Sequence, residues 1–503
     1  MTSSGPGHPD VVVVGNGALG LFLARALVGA GVTKVAVAGP PARPGAASTA
    51  AGAMLGSFGE VTKDTFGTAA GRAKFDLGLA AHELWPDVLA ELAVLAEEAG
   101  ERLHRVADTH VVLNGCGGPL DTVNYAAIVT ALGTYVPRWR EVDGADIPGY
   151  QPRPDGRALR CLLIPGEGAI DGNQVIRLMD RHLAASGVRY HPRAVRRLLV
   201  RHGRVAGVQF DDDETLTAGV VVVAAGARTA ELLRTALGPT EVQPMLAGTG
   251  TAVVLDRTAG RPFETVVRTP NRGGACGLHL IPLGGDREYV GASNLLASAP
   301  RLKGTVGTTA AILQQVARQL DEGASGHEIA EWRVGNRPVA LDGFPLVGWT
   351  SVPGLYALSG TYRDGLHAAP ALAGHVTAEI TGGKVTLDLP FAPGREPVST
   401  LTVEESIDEY ALHMTSLWFE LGGHAPSQLP TAALTGWYRD EARQVYRRTG
   451  ITLGLNPDVL CHLVTPGGRS ALPGLLRYLR DKGHTQTPSR ASAGPGTEPQ
   501  EWT

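Results

Sequence analysis

Residues 10–20 read Asp-Val-Val-Val-Val-Gly-Asn-Gly-Ala-Leu-Gly, and no other stretch narrows the fold as far. Four consecutive β-branched residues present no polar face to water, so they suit a strand covered on both sides, as in a parallel sheet. Gly15-x-Gly17-x-x-Gly20 follows without a break, and Leu19, Leu21, Phe22, Leu23, Ala26 and Leu27 predict a helix from about Leu19 to Gly29. In such a strand, turn and helix, the first glycine allows the tight turn, the second lets a pyrophosphate approach the backbone, and the third lets helix pack on strand. Asn16, Ala18 and Leu19 would then offer main-chain amides to an anion at the helix N-terminus. The trio is a weak signal by itself in a chain with 66 glycines; the flanking strand and helix give it meaning.

The chain has 503 residues, enough for two or three structural units. A net charge of -4 argues against bulk binding to nucleic acid or to an anionic membrane. Arg193, Arg196, Arg197, Arg201 and Arg204 surround a predicted hairpin and are expected on a solvated strand face. Cys116, Cys161, Cys276 and Cys461 form no CxxC pair, which fits a reduced, cytoplasmic protein without a disulfide framework or a metal site. No run approaches the ~18 apolar residues of a membrane span, and the N-terminus lacks the pattern of a signal peptide.

Further along, 34–38 predicts the second parallel strand. The acid expected there for the ribose of a dinucleotide is replaced by Gly39, followed by Pro40. Either backbone and water hold the ribose, or the cofactor differs. Residues 45–56 are nearly all small, so their amides can crowd a flat, charged ligand, with Ser48 and Thr49 in reach of phosphate oxygens. Residues 66–99 show helical spacing in their second half. A second buried run, Gly219 to Val223, ends in Ala224-Ala225-Gly226, and alternating runs across 242–300 predict an antiparallel sheet. After residue 400 the pattern becomes amphipathic helices rich in Tyr and Trp, and 485–503 has the composition of a disordered tail.

Five pieces occur in order: the strand with Gly15-x-Gly17-x-x-Gly20, the Ser48-Thr49-Ala50-Ala51-Gly52-Ala53-Met54 loop, the strand ending Ala225-Gly226, the Arg337-Pro338-x-x-x-Asp342-Gly343 turn, and Gly360-x-x-Arg363-x-Gly365. Together they resemble the FAD-dependent D-amino-acid oxidase superfamily, in particular its glycine oxidase and sarcosine oxidase branch, over about residues 10–385. The resemblance implies an α/β fold: a Rossmann-like FAD-binding domain from 10–60, 160–240 and 335–385, and an antiparallel-sheet substrate domain from 61–159 and 241–334. A helical extension, 400–484, has no counterpart in the small family members.

It also implies noncovalent FAD. Val195 would touch the adenine side, and Gly360, Asp364, Gly365, Leu366 and His367 would line the flavin with Ala51, Gly52, Ala53 and Met54. Relatives with a histidyl link carry it in the small-residue loop; here Ala50 and Ala51 stand in that region. Arg337 matches the family's carboxylate-binding arginine, and Arg363 the arginine of the flavin loop. Tyr362 would close over the substrate or simply pack. His279 falls where relatives often carry a tyrosine; it is either a proton carrier or a core histidine. No acid or base is obligatory if the amine binds deprotonated.

The expected function is FAD-dependent oxidation of an amine or amino acid to an imine, on a specialised biosynthetic substrate, with O2 reduced to H2O2. A dehydrogenase of an amine or 2-hydroxy acid with another acceptor is one alternative, and a catalytically silent flavin-fold binding protein is a second. Three roles fit the extension: a cover for the substrate entrance, a homodimer contact, or a carrier-protein contact.

Overall fold

The computed structural model describes residues 10–136, 138–273, 275–423, 429–465, 467–468 and 472–486. Val11–Val14 is a strand whose four residues are all buried. It lies inside a six-stranded sheet, in parallel register with Val220–Val223 on one side and Val35–Ala38 on the other. Arg189–His191 extends this sheet at one edge; Leu355–Ser359 and the antiparallel Leu346–Trp349 extend it at the other.

Alternation along the strands sends Val11, Val13, Val35 and Val37 to one face, where they meet Leu21, Leu23, Trp85, Leu92 and Leu372 of the covering helices. Val12, Val14, Ala36 and Ala38 go to the other face, against a small antiparallel sheet formed by Val195–Arg201, Arg204–Phe210 and Thr215–Thr217. Each valine buried in this way contributes roughly 1.5–3 kcal/mol, which is why an uninterrupted valine run ends up at the centre. On the small sheet, Arg193 pairs with Asp212 and Glu214, and Arg196 with Asp213, in exposed ion pairs.

The second layer is a nine-stranded, largely antiparallel sheet. Its two long strands, Met245–Asp256 and Glu328–Ala340, pair along most of their length. Helix Val306–Gln319 covers one face through Ile312 and Val316.

Three segments sit elsewhere than the sequence divisions put them. Helix Ala69–Glu98 is continuous, and it falls within the expected substrate domain. Its stripe of Leu77, Ala81, Trp85, Val88, Leu92 and Ala96 nevertheless packs into the nucleotide-domain core. Ala158–Ile164 begins the expected second FAD segment but pairs with Thr109–Asn114 in the substrate sheet. Gly335–Ala340 likewise completes a strand of that sheet. Strand pairing is non-local, so boundaries drawn along the chain miss it.

The extension contributes helices Val403–Glu420, Thr431–Thr449, Pro457–Val464 and Leu472–Asp481. A capping box between Thr402 and Glu405 starts the first of them. Ile407, Tyr410, Tyr446, Leu460, Tyr478 and Leu479 form its core, to which Leu341 of the main body adds. Docking is close. A Cβ at Gly118 would lie 2.7 Å from Ser416 Cα, and one at Gly273 would lie 2.2 Å from the His413 carbonyl oxygen. Lys63 reaches Glu409 at 2.7 Å across the same junction. Of the tail expected to be disordered, Thr485 bridges Ile451, and Gln486 N–H donates to the Gly450 carbonyl at 2.7 Å. The rest, 487–503, lies outside the described residues. No described helix is long and apolar enough to cross a membrane.

Candidate functional site

The glycine turn is fixed by contacts only glycine tolerates. Gly15 adopts φ +119°, and a Cβ there would lie 2.2 Å from the Ala224 carbonyl oxygen; at Gly20 one would lie 1.9 Å from the Gly15 carbonyl oxygen. Gly20 is therefore a packing residue and does not line the cavity. Gly17 begins helix Ala18–Gly29 with no side-chain cap, which leaves an N-terminus suited to an anion. Ser48 anchors it: its Oγ accepts from the Ala18 amide at 2.9 Å.

At Gly39 the missing acid has a steric explanation. A Cβ there would lie 2.7 Å from Asn16 Oδ1, so the Asn16 side chain fills the place an acid would need. Asn16 Nδ2 donates to the Pro40 carbonyl at 2.9 Å and to the Tyr190 hydroxyl, which itself donates to the Gly39 carbonyl at 2.8 Å. Arg43 Nε donates to the Asn16 carbonyl at 2.8 Å, and Arg43 Nη2 holds both oxygens of Asp180 at 2.6 and 2.7 Å. Asn16, Pro40, Arg43 and Val195 line this end of the cavity.

The small-residue stretch contains one helical turn, Ala47–Ala50. Thr49 does not turn toward the cavity, contrary to expectation; its hydroxyl bonds back to the Ala46 carbonyl at 3.2 Å. The substrate sheet presses against this stretch. A Cβ at Gly335 would come within 2.7 Å of Ala50 Cβ, and one at Gly52 within 2.6 Å of Ile281 Cδ1. Beyond Met54, the buried Glu167 carboxylate accepts amides from Ser57, from Phe58 at 2.6 Å and from Gly59 at 3.0 Å. Burial still raises its pKa on balance. This clamp sets the turn that carries Glu60.

Four basic or aromatic groups form the opposing wall. Arg337 extends from strand Glu328–Ala340 opposite Gly248. A Cβ on nearby Gly250 would lie 2.5 Å from Arg337 Nη1, so that glycine makes room for the guanidinium. Nη1 donates to the Ser293 carbonyl at 3.0 Å, and Arg337 forms no ion pair with a described residue. Arg268 is buried, and its Nη1 pairs with Glu60 at 2.5 Å. Burial alone would raise the Glu60 pKa, but Arg268 and Arg363 outweigh it and hold the carboxyl at about 2. Tyr362, at φ +54°, donates its hydroxyl to Asp458 at 2.5 Å. Arg363 lies over the Tyr362 ring at 4.9 Å and 3.6 Å from the same carboxylate. Burial would lower the Arg363 pKa, yet Cys276, Tyr362, Asp458 and Glu60 raise it overall.

His279 stacks on Tyr289 with ring centroids 5.7 Å apart. Burial, aided by Arg268, pushes its pKa down to about 3, so the ring is neutral near pH 7. His367 Nε2 contacts Ser57 Oγ at 3.1 Å and the Gly78 carbonyl at 3.0 Å, and burial lowers its pKa to about 4.

One cavity of about 570 Å³ is lined at once by Gly15, Gly39, Ser48, Val195, Arg337 and His367. Of the residues singled out from the sequence, Asn16, Gly17, Ala18, Leu19, Pro40, Ala51, Gly52, Ala53, Met54, Ala225, Gly226, His279, Tyr362, Arg363, Asp364, Gly365 and Leu366 also line it. Thr49, Gly20 and Gly360 do not. A Cβ at Gly360 would lie 2.9 Å from the Leu346 amide, so its role is packing. Sequence reasoning missed Arg43, Glu60, Glu167, Arg268 and Asp458. Glu167 follows a Pro-Gly turn and Asp458 opens a helix, but neither signal says what the side chain reaches. Among the described residues one cluster has metal-ligand types, Glu288, Asp321 and His327; Arg257 already places its guanidinium there, 2.5 Å from Glu288 and 3.4 Å from Asp321.

A helix end whose N-cap residue is a glycine, a stretch of small residues and a wall of hydrogen-bonding side chains suit a dinucleotide ending in a flat ring. The family model for FAD dependent oxidoreductases (DAO) matches residues 10–380, and the chain belongs to that family. Among curated proteins it is similar to a D-amino acid dehydrogenase of Methylobacterium nodulans, 31% identical over 201 residues, which is 40% of this chain and 45% of the relative. A glycine oxidase of Pseudomonas putida is also 31% identical over 201 residues, 38% of this chain and 49% of the relative. The chain thus spans about half the length of the curated relatives it matches. In fold it is similar to glycine oxidase from Geobacillus kaustophilus, with TM-score 0.65 and 20% identity, covering 77% of this chain and 98% of that one. Iminodiacetate oxidase from Chelativorans sp. BNC1 gives TM-score 0.64 at 20% identity, over 76% and 98%.

Proposed function

We propose that the protein oxidises the C–N bond of an amino acid, or of an amine bearing a carboxylate, to an imine, and that O2 receives the electrons to give H2O2. The observation that carries this reading is Arg337, a guanidinium in the cavity wall without an anionic partner among the described residues. Its two hydrogen bonds to protein, to Ser293 and Asn294, both use Nη1, which leaves the Nε and Nη2 edge for the two oxygens of a carboxylate. FAD, when bound, would accept the two electrons of the substrate's α C–H bond as a hydride equivalent while the nitrogen lone pair forms the C=N bond.

The chain's own part is to bind, orient and exclude water. Arg337 fixes the carboxylate; Tyr362 and Tyr289 bound the space beside it; Ala53, Met54 and Leu366 supply apolar surface. No general base is needed if the amine enters deprotonated. The imine then hydrolyses in water. The curated relatives' names, glycine oxidase and D-amino acid dehydrogenase, support amino-acid chemistry and keep a second reading open, in which another acceptor replaces O2.

The test is anaerobic mixing of the yellow holoprotein with amines, D- and L-amino acids and 2-hydroxy acids, followed by admission of air. Bleaching by an amino acid and fast recovery of colour support an oxidase. Bleaching with slow reoxidation points to the dehydrogenase. Bleaching by 2-hydroxy acids alone refutes C–N oxidation, and a protein that binds FAD but is bleached by nothing is the silent binding protein.

A further inference from the structure

Asp458, in the first turn of helix Pro457–Val464, reaches two residues that line the cavity. Its Oδ2 accepts from the Tyr362 hydroxyl at 2.5 Å and lies 3.6 Å from Arg363 Nη2. The Asp458 amide donates to Asn456 Oδ1 at 2.9 Å, and Val459, Leu460 and Leu463 of the same helix are buried in the core of the extension. The carboxylate is thus placed by the extension's own packing. Leu246 and Leu296 of the substrate sheet pack against that core, which ties the helix to the sheet that carries Arg337.

From Asp458 a line of hydrogen bonds runs to Arg337. Tyr362 Oη accepts from Asn294 Nδ2, and Asn294 Oδ1 accepts from Arg337 Nη1 at 3.4 Å. The two ends set every direction between them. A guanidinium can only donate, so Asn294 turns its oxygen toward Arg337 and its nitrogen toward Tyr362. A carboxylate can only accept, so the Tyr362 proton points at Asp458 and leaves the phenol oxygen free to accept. Asn294, Tyr362 and Asp458 are all buried, which keeps water from replacing a missing member. A Cβ at Gly248, which pairs with Arg337 across the strands, would lie 2.9 Å from Asn294 Oδ1, so this glycine makes room for the amide. The main chain adds a second tie: Tyr362 N–H donates to the Pro338 carbonyl at 3.1 Å, one residue beyond Arg337.

We propose that Asp458 is a positioning residue: from the extension it fixes, through Tyr362 and Asn294, the orientation of Arg337, so that the extension takes part in holding the substrate carboxylate. The proposal rests on Arg337 as the carboxylate ligand, as argued above. Asn294 and Asp458 lie outside the lining of the cavity, so their effect on substrate passes through the residues they hold. Nη1 of Arg337 is engaged by the Ser293 carbonyl and by Asn294 Oδ1, and the Nε and Nη2 edge is left for the ligand. Without Asp458 the Tyr362 hydroxyl would turn its proton to Asn294. The amide would then flip, and an N–H would face the guanidinium where an oxygen had been.

The experiment measures binding of acetate, a minimal carboxylate, to the holoprotein by perturbation of the flavin absorbance at constant pH and ionic strength, without turnover. Asp458→Ala and Tyr362→Phe should each weaken acetate binding about fivefold, and the double variant no more than about twofold further, because both break one relay. Asp458→Asn keeps an oxygen for the Tyr362 proton and should bind acetate at least about twofold tighter than Asp458→Ala. Lys63→Met breaks the Lys63–Glu409 ion pair at the same junction without touching the relay, and should stay within about twofold of wild type. FAD content is measured throughout as a check on folding; Tyr362→Phe leaves the extension's charges intact and carries the test if Asp458→Ala loses FAD. Unchanged binding in Asp458→Ala or in Tyr362→Phe, losses that multiply in the double variant, or an equal loss in Lys63→Met overturns the relay. Acetate that perturbs wild type and Arg337→Met alike, or perturbs neither, overturns the carboxylate assignment of Arg337 and this proposal with it. Acetate that binds wild type but not Arg337→Met leaves that assignment standing whatever Asp458 does.

Discussion

Replacing Arg337 by Met tests the carboxylate assignment most directly. The native guanidinium is held by Nη1 on the Ser293 carbonyl at 3.0 Å, so its orientation is set before substrate arrives. A hydrogen bond to a charged group is worth roughly 1.5–3 kcal/mol, and a bidentate pair presents two. Allowing for incomplete additivity, loss of the pair should cost about 3–4 kcal/mol, or a roughly 140- to 700-fold rise in apparent substrate constant at about 1.4 kcal/mol per tenfold. Lysine keeps the charge but not the fork, so Arg337→Lys should lose only about tenfold. The assay is the concentration dependence of anaerobic bleaching, with FAD content from the visible spectrum. A matched amine lacking the carboxylate is the internal control and should respond alike to wild type and Arg337→Met. If Arg337→Met retains FAD and binds the amino acid within about threefold of wild type, Arg337 is not the carboxylate ligand and the reasoning fails.

Gly250→Ala should imitate that loss without removing the arginine, because its Cβ would lie 2.5 Å from Nη1; a rise of about tenfold in the substrate constant is expected, and an unchanged constant means the guanidinium has room to move. Gly39→Asp should weaken FAD affinity, measured by equilibrium dialysis, since the new Cβ would fall 2.7 Å from Asn16 Oδ1; tighter binding would show that only the ribose acid was missing. The Glu60 carboxyl is depressed from 4.5 to about 2, so its stabilisation is full above pH 4.5 and is lost as pH falls toward 2. That shift corresponds to about 3 kcal/mol, and Glu60→Gln should lower the urea midpoint for flavin release at pH 7 while flattening its decline below pH 4.5; parallel pH curves for the two proteins would contradict this. His279, held at about 3, should contribute no ionisation to the rate profile between pH 5 and 9, so a limb in that range that vanishes in His279→Gln would show the ring titrating after all.

What the sequence determined by itself was local and repetitive in its physics. Four adjacent valines require cover on both faces. Gly15 and Gly20 are required where the turn meets Ala224 and folds on itself, and the small residues of 45–53 are required where Gly335 and Ile281 press in. The order of the Arg337 and Arg363 turns then pointed to one family, because each motif carries its own steric or electrostatic demand. Tertiary structure decided what depends on contacts between distant segments. That helix Ala69–Glu98 serves the nucleotide core, and that Ala158–Ile164 joins the other sheet, follows from pairings no periodicity encodes. Burial beside Arg268 makes His279 neutral, and three amides on Glu167 aim Glu60 between two arginines; both effects exist only once water is excluded. The extension shows the division most sharply. Its amphipathic helices were legible from their spacing, but that Asp458 would close on Tyr362 and Arg363 was fixed by docking against Gly118 and Gly273, two glycines whose need for space has no meaning until another segment fills it.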